Sequence, residues 1–232
     1  MRTQIKIAAI LVSVVMLSYT GNTQTNYSGA YGYYFNPPAS TGIDKDATGP
    51  KGTLVLLKME GNKYRFWLDV TLGWPNYNVG ETDGTVTFVN DTASFDNTFE
   101  DAEHPCILKF KITNNTININ SLSTSFNCGF GNGVNADGDY AKLKMQPVLN
   151  NDWLKKEYFQ SPKFIITDNK AEIYQDENCL RPFIQKQYFV KGDALVSIAE
   201  TEKTVYTEYI AANGKFVYGW LKKSAIKVTS TE

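Results

Sequence analysis

Few residues in this chain have types and spacings that could do chemistry. His104, the only histidine, follows Glu100, Asp101 and Glu103. Histidine beside carboxylates can hold a metal, but the helical HExxH spacing is absent. Pro105 favours an extended segment here, so a solvated acidic loop accounts for the cluster. Asn135, Asp137, Gly138 and Asp139 suggest a calcium loop. Aligning Gly138 with the loop's sixth position puts Gly133 first and Lys144 twelfth, where a bidentate glutamate is needed. A glycine turn explains the segment without a metal. Asp69, Asp137 and Asp139 could supply the paired carboxylates of a glycan hydrolase. Asp69 stands out because it shares a strand face with Arg65 and Trp67. No serine sits in a nucleophile elbow, and no glycine-rich phosphate loop follows a strand. The residues therefore indicate a noncatalytic protein and call for neither a cofactor nor a metal.

The three cysteines are Cys106, Cys128 and Cys179. Arg2 and Lys6, the apolar run Ile7 to Leu17 and the small and polar residues Ser18 to Thr25 follow the order of a secretory signal peptide, assigned to residues 1–24. The run is too short to span a bilayer, so the expected product is exported, periplasmic or extracellular, with no stable membrane insertion. Export permits disulfides. Cys106 and Cys128 flank a hairpin and are expected to pair, leaving Cys179 as a buried or inert thiol in a long loop; a nucleophile is the alternative, for which a lone cysteine without a nearby histidine is weak evidence. Without residues 1–24 the chain has 21 basic and 24 acidic side chains, which offers no electrostatic footprint for nucleic acid.

The elements that position these residues read as strands. In residues 25–146, Tyr64, Phe66, Leu68, Val70 and Leu72 alternate with Arg65, Trp67, Asp69 and Thr71, the period of a two-faced strand. Leu54 to Met59 precedes it across a Gly61-Asn62 turn. Thr85 to Val89 and Ala93 to Phe95 flank Asn90-Asp91. Cys106 to Ile112 and Ile117 to Ile119 flank Asn114-Asn115. Short strands at regular intervals indicate an antiparallel barrel or sandwich. Between strands, Trp74 and Tyr77 lie in a Gly-Trp-Pro-Asn-Tyr-Asn loop. There they can stack on a sugar or partner, or cap the barrel. Residues 147–162 break the pattern and read as a linker with a helical turn that docks Trp153, Tyr158 and Phe159.

Residues 163–232 are again β. Tyr174 ends one strand, Gly192-Asp193 precedes the next, and Asn213-Gly214 makes a hairpin. Gly219-Trp220-Leu221 and Ala225-Ile226-Lys227-Val228 close the pattern. This segment resembles a bacterial SH3-like (SH3b) domain. It departs from that pattern in the long loop carrying Cys179 and Arg181-Pro182. The resemblance implies a small barrel with an aromatic surface between two loops that holds a peptide or cell-wall fragment; Tyr174, Tyr188, Tyr218 and Trp220 are its candidates. The alternative for Trp220 and half of the tyrosines is a place in the core. In the first part, Cys128-Gly129-Phe130-Gly131 followed by Ala136-Asp137-Gly138-Asp139-Tyr140 resembles small exported bacterial β-domains of unassigned function and brings no activity with it.

The expectation is an all-β exported protein: an N-terminal antiparallel barrel or sandwich followed by a small SH3-like barrel. Its expected role is noncatalytic binding of a peptide, a peptidoglycan fragment or other glycan, or another envelope protein. A proteinaceous inhibitor of an envelope hydrolase such as a lysozyme comes second, with the acidic loop Asp96 to Glu103 facing a basic enzyme. A carboxylate-dependent glycan hydrolase comes third.

Overall fold

A computed structural model describes residues 25–34, 49–185 and 187–229. The signal-peptide reading of residues 1–24 lies outside them. Among the described residues no helix is long and apolar enough to cross a membrane.

The first strands are β1 (Gly29–Tyr34), β2 (Lys51–Lys58), β3 (Lys63–Thr71), β4 (Val79–Thr87), β5 (Thr92–Asp96), β6 (Ile107–Thr113), β7 (Thr116–Ser121) and β8 (Gly138–Lys142). They form one antiparallel sheet in the order β4-β3-β2-β1-β8-β7-β6-β5. Its two edge strands follow one another in sequence and meet at the Val89–Thr92 bridge, across Asn90 (φ 49°) and Asp91 (φ 60°). The sheet is thereby a nearly closed barrel. Consecutive positive φ angles match the right-handed twist of a hairpin, and Asn and Asp tolerate them.

Leu54, Leu56, Tyr64, Phe66, Leu68, Leu108, Phe110, Ile117, Ile119 and Tyr140 fill the barrel core. Gly84 faces Phe95, whose ring would lie 2.4 Å from an added Cβ. The missing side chain is therefore what lets that ring seat over β4. Cys106 and Cys128 are bonded as a disulfide, with Cα atoms 4.6 Å apart, and both are buried. This is the pairing their flanking positions indicate. Cys179 is a free, buried thiol.

Next comes α1 (Asn151–Glu157), inside the segment read as a linker; the Asn150 side chain caps it by accepting from the Trp153 N–H. The remaining strands are β9 (Lys163–Ile166), β10 (Lys170–Glu172), β11 (Tyr188–Val190), β12 (Ala194–Glu200), β13 (Thr204–Ile210), β14 (Phe216–Lys222) and β15 (Ile226–Thr229). Five form an antiparallel sheet ordered β14-β13-β12-β9-β15, and β10 pairs with β11. A short 3-10 turn, Lys223–Ala225, leads into β15. Phe164, Ile166, Ile173, Phe189, Leu195, Val205 and Leu221 fill this second core.

A third apolar layer joins the two sheets: Ala30, Val55, Leu57 and Trp67 from the first, Leu154 from α1, and Ile210 and Phe216 from the second. Trp67 contacts Trp153 and Phe216 edge-on, with ring centroids 5.2 and 6.1 Å apart. This layer explains why residues 64–68 of β3 are buried on both faces, although their alternation indicates one wet face. Trp153 and Tyr158 dock here as the sequence indicates, whereas Phe159 is 71% exposed and does not. The backbone turns away after the Tyr158 cap, where the Lys163 ammonium gathers the carbonyls of Tyr158, Phe159 and Ser161.

Candidate binding cleft between the two sheets

Strand register builds an aromatic row. Cross-strand partners share a face of a sheet, and Tyr206 of β13 is the partner of Trp220 of β14. Their rings lie 5.5 Å apart, edge to face. On the other side of β14, Tyr174 and Trp220 exchange both backbone hydrogen bonds, at 3.0 and 2.9 Å. Gly219 allows this approach: a Cβ there would lie 2.7 Å from the Tyr174 carbonyl oxygen and 2.5 Å from Ile173. Tyr206, Trp220 and Tyr174 thus line up across three chain segments, spanning roughly 10 Å at sheet spacing. All three are half-buried. The Lys222 ammonium stands 5.5 Å from the Tyr174 ring centroid.

Tyr206 also lines a cleft of about 490 Å³ between the two sheets, together with Arg65, Asp83, Phe95, Phe99, Glu100 and Glu208. The floor is an ionic network. Arg65 is 6% exposed and Glu208 is 1% exposed. Arg65 Nε lies 2.7 Å from Glu208 Oε1, and Arg65 Nη2 also pairs with Asp83. The Tyr158 hydroxyl accepts from Arg65 Nη2 (2.6 Å) and Trp67 Nε1 (2.8 Å) and donates to Glu208 Oε2 (3.1 Å). Burial pushes the Glu208 carboxyl above its ordinary range, against the opposing pull of Arg65 and the Tyr158 hydrogen bond. Burial likewise raises the Tyr206 hydroxyl, helped by Glu208. A buried charge of this kind persists only when paired and hydrogen-bonded, so the network ties strand β3 to strand β13.

The other aromatic candidates are dispersed. Tyr218 shares the face of Trp220 but lies toward the inter-sheet layer, stacked on Phe216 with centroids 5.7 Å apart. Tyr188 is exposed on β11 under the Lys170 ammonium, 4.5 Å from its centroid. Trp74 and Tyr77 are 57% and 56% exposed in the β3–β4 loop, so neither is buried as a barrel cap. Tyr206, Phe99 and Glu208 were not singled out by sequence reasoning. Tyr206 carries a signal in its two-residue spacing from Glu208 on one strand face; which face meets Trp220 depends on register.

The chemical candidates also find places. Asp137 accepts from the Ser121 N–H (2.6 Å), and Asp139 accepts from Asn118 Nδ2 (2.8 Å). Both thus hold the barrel's own backbone and side chains in place. His104 is exposed, 3.8 Å from Asp101. No group of three or more His, Cys, Asp or Glu among the described residues could hold a metal ion. Asp69 faces Glu81 across β3 and β4, and both line a pocket of about 330 Å³ with Tyr34, Lys51 and Thr53. Asp69 is exposed at the surface, yet the pocket walls partly desolvate its carboxyl, and this, with Glu81 and Asp83 nearby, raises it to about 6. Burial, with Asp69, Glu81 and Asp83 nearby, raises Glu157 of α1 to about 7.

No protein-family profile, characterised protein or solved structure matches the chain.

Proposed function

We propose that the chain is an exported, noncatalytic binding protein of the cell envelope whose C-terminal part, residues 163–232, is a bacterial SH3-like barrel. The strand order β14-β13-β12-β9-β15, with a 3-10 turn before the last strand, supports the barrel reading. The row Tyr174–Trp220–Tyr206, whose Tyr206 end lines the inter-sheet cleft, carries the functional reading. Aromatic rings offer large apolar area at low conformational cost, and clefts of a few hundred cubic ångströms with a few polar groups are the usual shape of ligand sites. The ligand class is a peptide, a glycan fragment of the wall or a protein. Titration of the full chain with muropeptides and short peptides, followed by NMR, tests this: shifts at the three aromatics are expected, and their absence at millimolar ligand would sink the reading.

The runner-up is inhibition of a basic envelope hydrolase, supported by the acidic loop Asp96 to Glu103 at the cleft's rim. It would appear as stoichiometric inhibition of a lysozyme. The Asp69–Glu81 pair supports the third reading, glycan hydrolysis, because a raised carboxyl is what a general acid needs. Turnover lost on Asp69→Asn would favour it.

A further inference from the structure

We infer that the occupant of the cleft is a basic segment of another protein, with a lysine or arginine side chain entering between Phe99 and Tyr206; this rests on the binding reading above. The first observation is Phe99, which is fully exposed. Its loop is pinned. Asn97 Oδ1 accepts from the Cys106 N–H at 2.6 Å, and the Asn97 carbonyl accepts from the N–H groups of Glu100 and Asp101 at 2.7 and 3.0 Å. The Cys106–Cys128 disulfide anchors the loop's base. An aromatic side chain held out from an ordered loop offers apolar area with little ordering left to lose on association.

The second observation is charge. Among the described residues, Arg65 is the only cation lining the cleft, against the carboxylates of Asp83, Asp96, Glu100 and Glu208. Glu208 and Asp83 both draw on that single guanidinium. Asp96 and Glu100 are exposed beside Phe99 and add negative charge; Asp96 accepts from Thr98 with Lys109 nearby, which holds its carboxyl below its ordinary range. Such a rim repels nucleic acid and anionic lipid and attracts a cationic chain. Phe99 is fully exposed where it lines the cleft, so a small amine paired with the carboxylates would leave most of its ring uncovered. A protein segment with apolar residues flanking its basic ones covers both features.

The test is calorimetric titration of the full chain with a synthetic peptide of alternating Lys and Leu, its Glu and Leu counterpart of equal length, and muropeptides. The Lys/Leu peptide should bind, more weakly as salt rises, and the Glu/Leu peptide should not. Phe99→Ala should weaken the Lys/Leu peptide about tenfold, as for an aromatic anchor, and Glu100→Gln should weaken it less. Phe99 is wholly exposed, so its loss should leave the fold intact. Equal binding of both peptides, or unchanged affinity in Phe99→Ala, would overturn the assignment. If muropeptides bind and lose affinity with Tyr174→Ala while the Lys/Leu peptide does not bind, the binding reading stands and this one falls. If nothing binds, both fall.

Discussion

Arg65 of the first sheet and Glu208 of the second form a buried ion pair, Nε to Oε1 at 2.7 Å, across the layer that joins the two halves of the chain. Both side chains line the cleft. Tyr158, carried just after α1, bonds both partners, so helix and sheets converge on one network.

Removing one partner of this pair should cost far more than removing both. Arg65→Ala leaves Glu208 buried without its cation, which costs about 3–5 kcal/mol. The double change Arg65→Met with Glu208→Leu should recover most of that loss, because it removes the uncompensated charge. Urea denaturation of the three proteins measures the difference.

Leu154 is fully buried on α1, within the layer between the sheets. Leu154→Ala should therefore destabilise the chain by about 2–5 kcal/mol. A linker helix lying free of both sheets would tolerate the change, so a loss under about 0.5 kcal/mol, the usual range of a surface substitution, would contradict this packing.

Stability should depend on pH through Glu157. Its folded carboxyl titrates at about 7 against an ordinary 4.5, chiefly through burial and then through Asp69, Glu81 and Asp83. Between those values the folded state binds more protons than the unfolded state. Its contribution is thus fully present at low pH and is lost as pH rises toward 7. Asp69, raised to about 6, acts in the same direction. Glu157→Gln should flatten the decline between about pH 4.5 and 7, read as thermal midpoints across that range. An unchanged slope would remove Glu157 from the account.

The Cys106–Cys128 disulfide closes a loop whose ends are 22 positions apart. Replacing both cysteines with alanine should cost about 3 kcal/mol in the chain-entropy estimate. Peptide mapping without reduction should find this link and a Cys179 that reacts with alkylating reagent only after unfolding, since that thiol is buried.

Much of the architecture was legible in the sequence because strand alternation and turn residues are local signals. The β2–β3 and β6–β7 hairpins follow from Gly61-Asn62 and Asn114-Asn115, and the disulfide follows from placement. The inter-sheet layer was only half legible. Arg65 and Trp67 stand at positions that alternation assigns to an outer face, and what covers that face comes from α1 and from β13 and β14, far along the chain. The candidate site depends on register in the same way. Tyr174 and Trp220 are recognisable as strand aromatics, yet their pairing arises because the chain after β10 lays the Tyr174 backbone along the edge of β14, where Gly219 permits the close approach. Phe99 in an acidic loop reads as solvated; its place on a cleft with Tyr206 needs the second sheet.

The central claim is that the aromatic row running from Tyr206, in the cleft, across Trp220 to Tyr174 is the binding surface, and NMR titration of the full chain with short peptides and muropeptides tests it most directly. Saturable shifts are predicted at Tyr174, Trp220 and Tyr206, with affinity weakened by about 1–2 kcal/mol in a folded Tyr174→Ala variant. Shifts confined to the Trp74–Tyr77 loop, or no shifts at millimolar ligand, would contradict it.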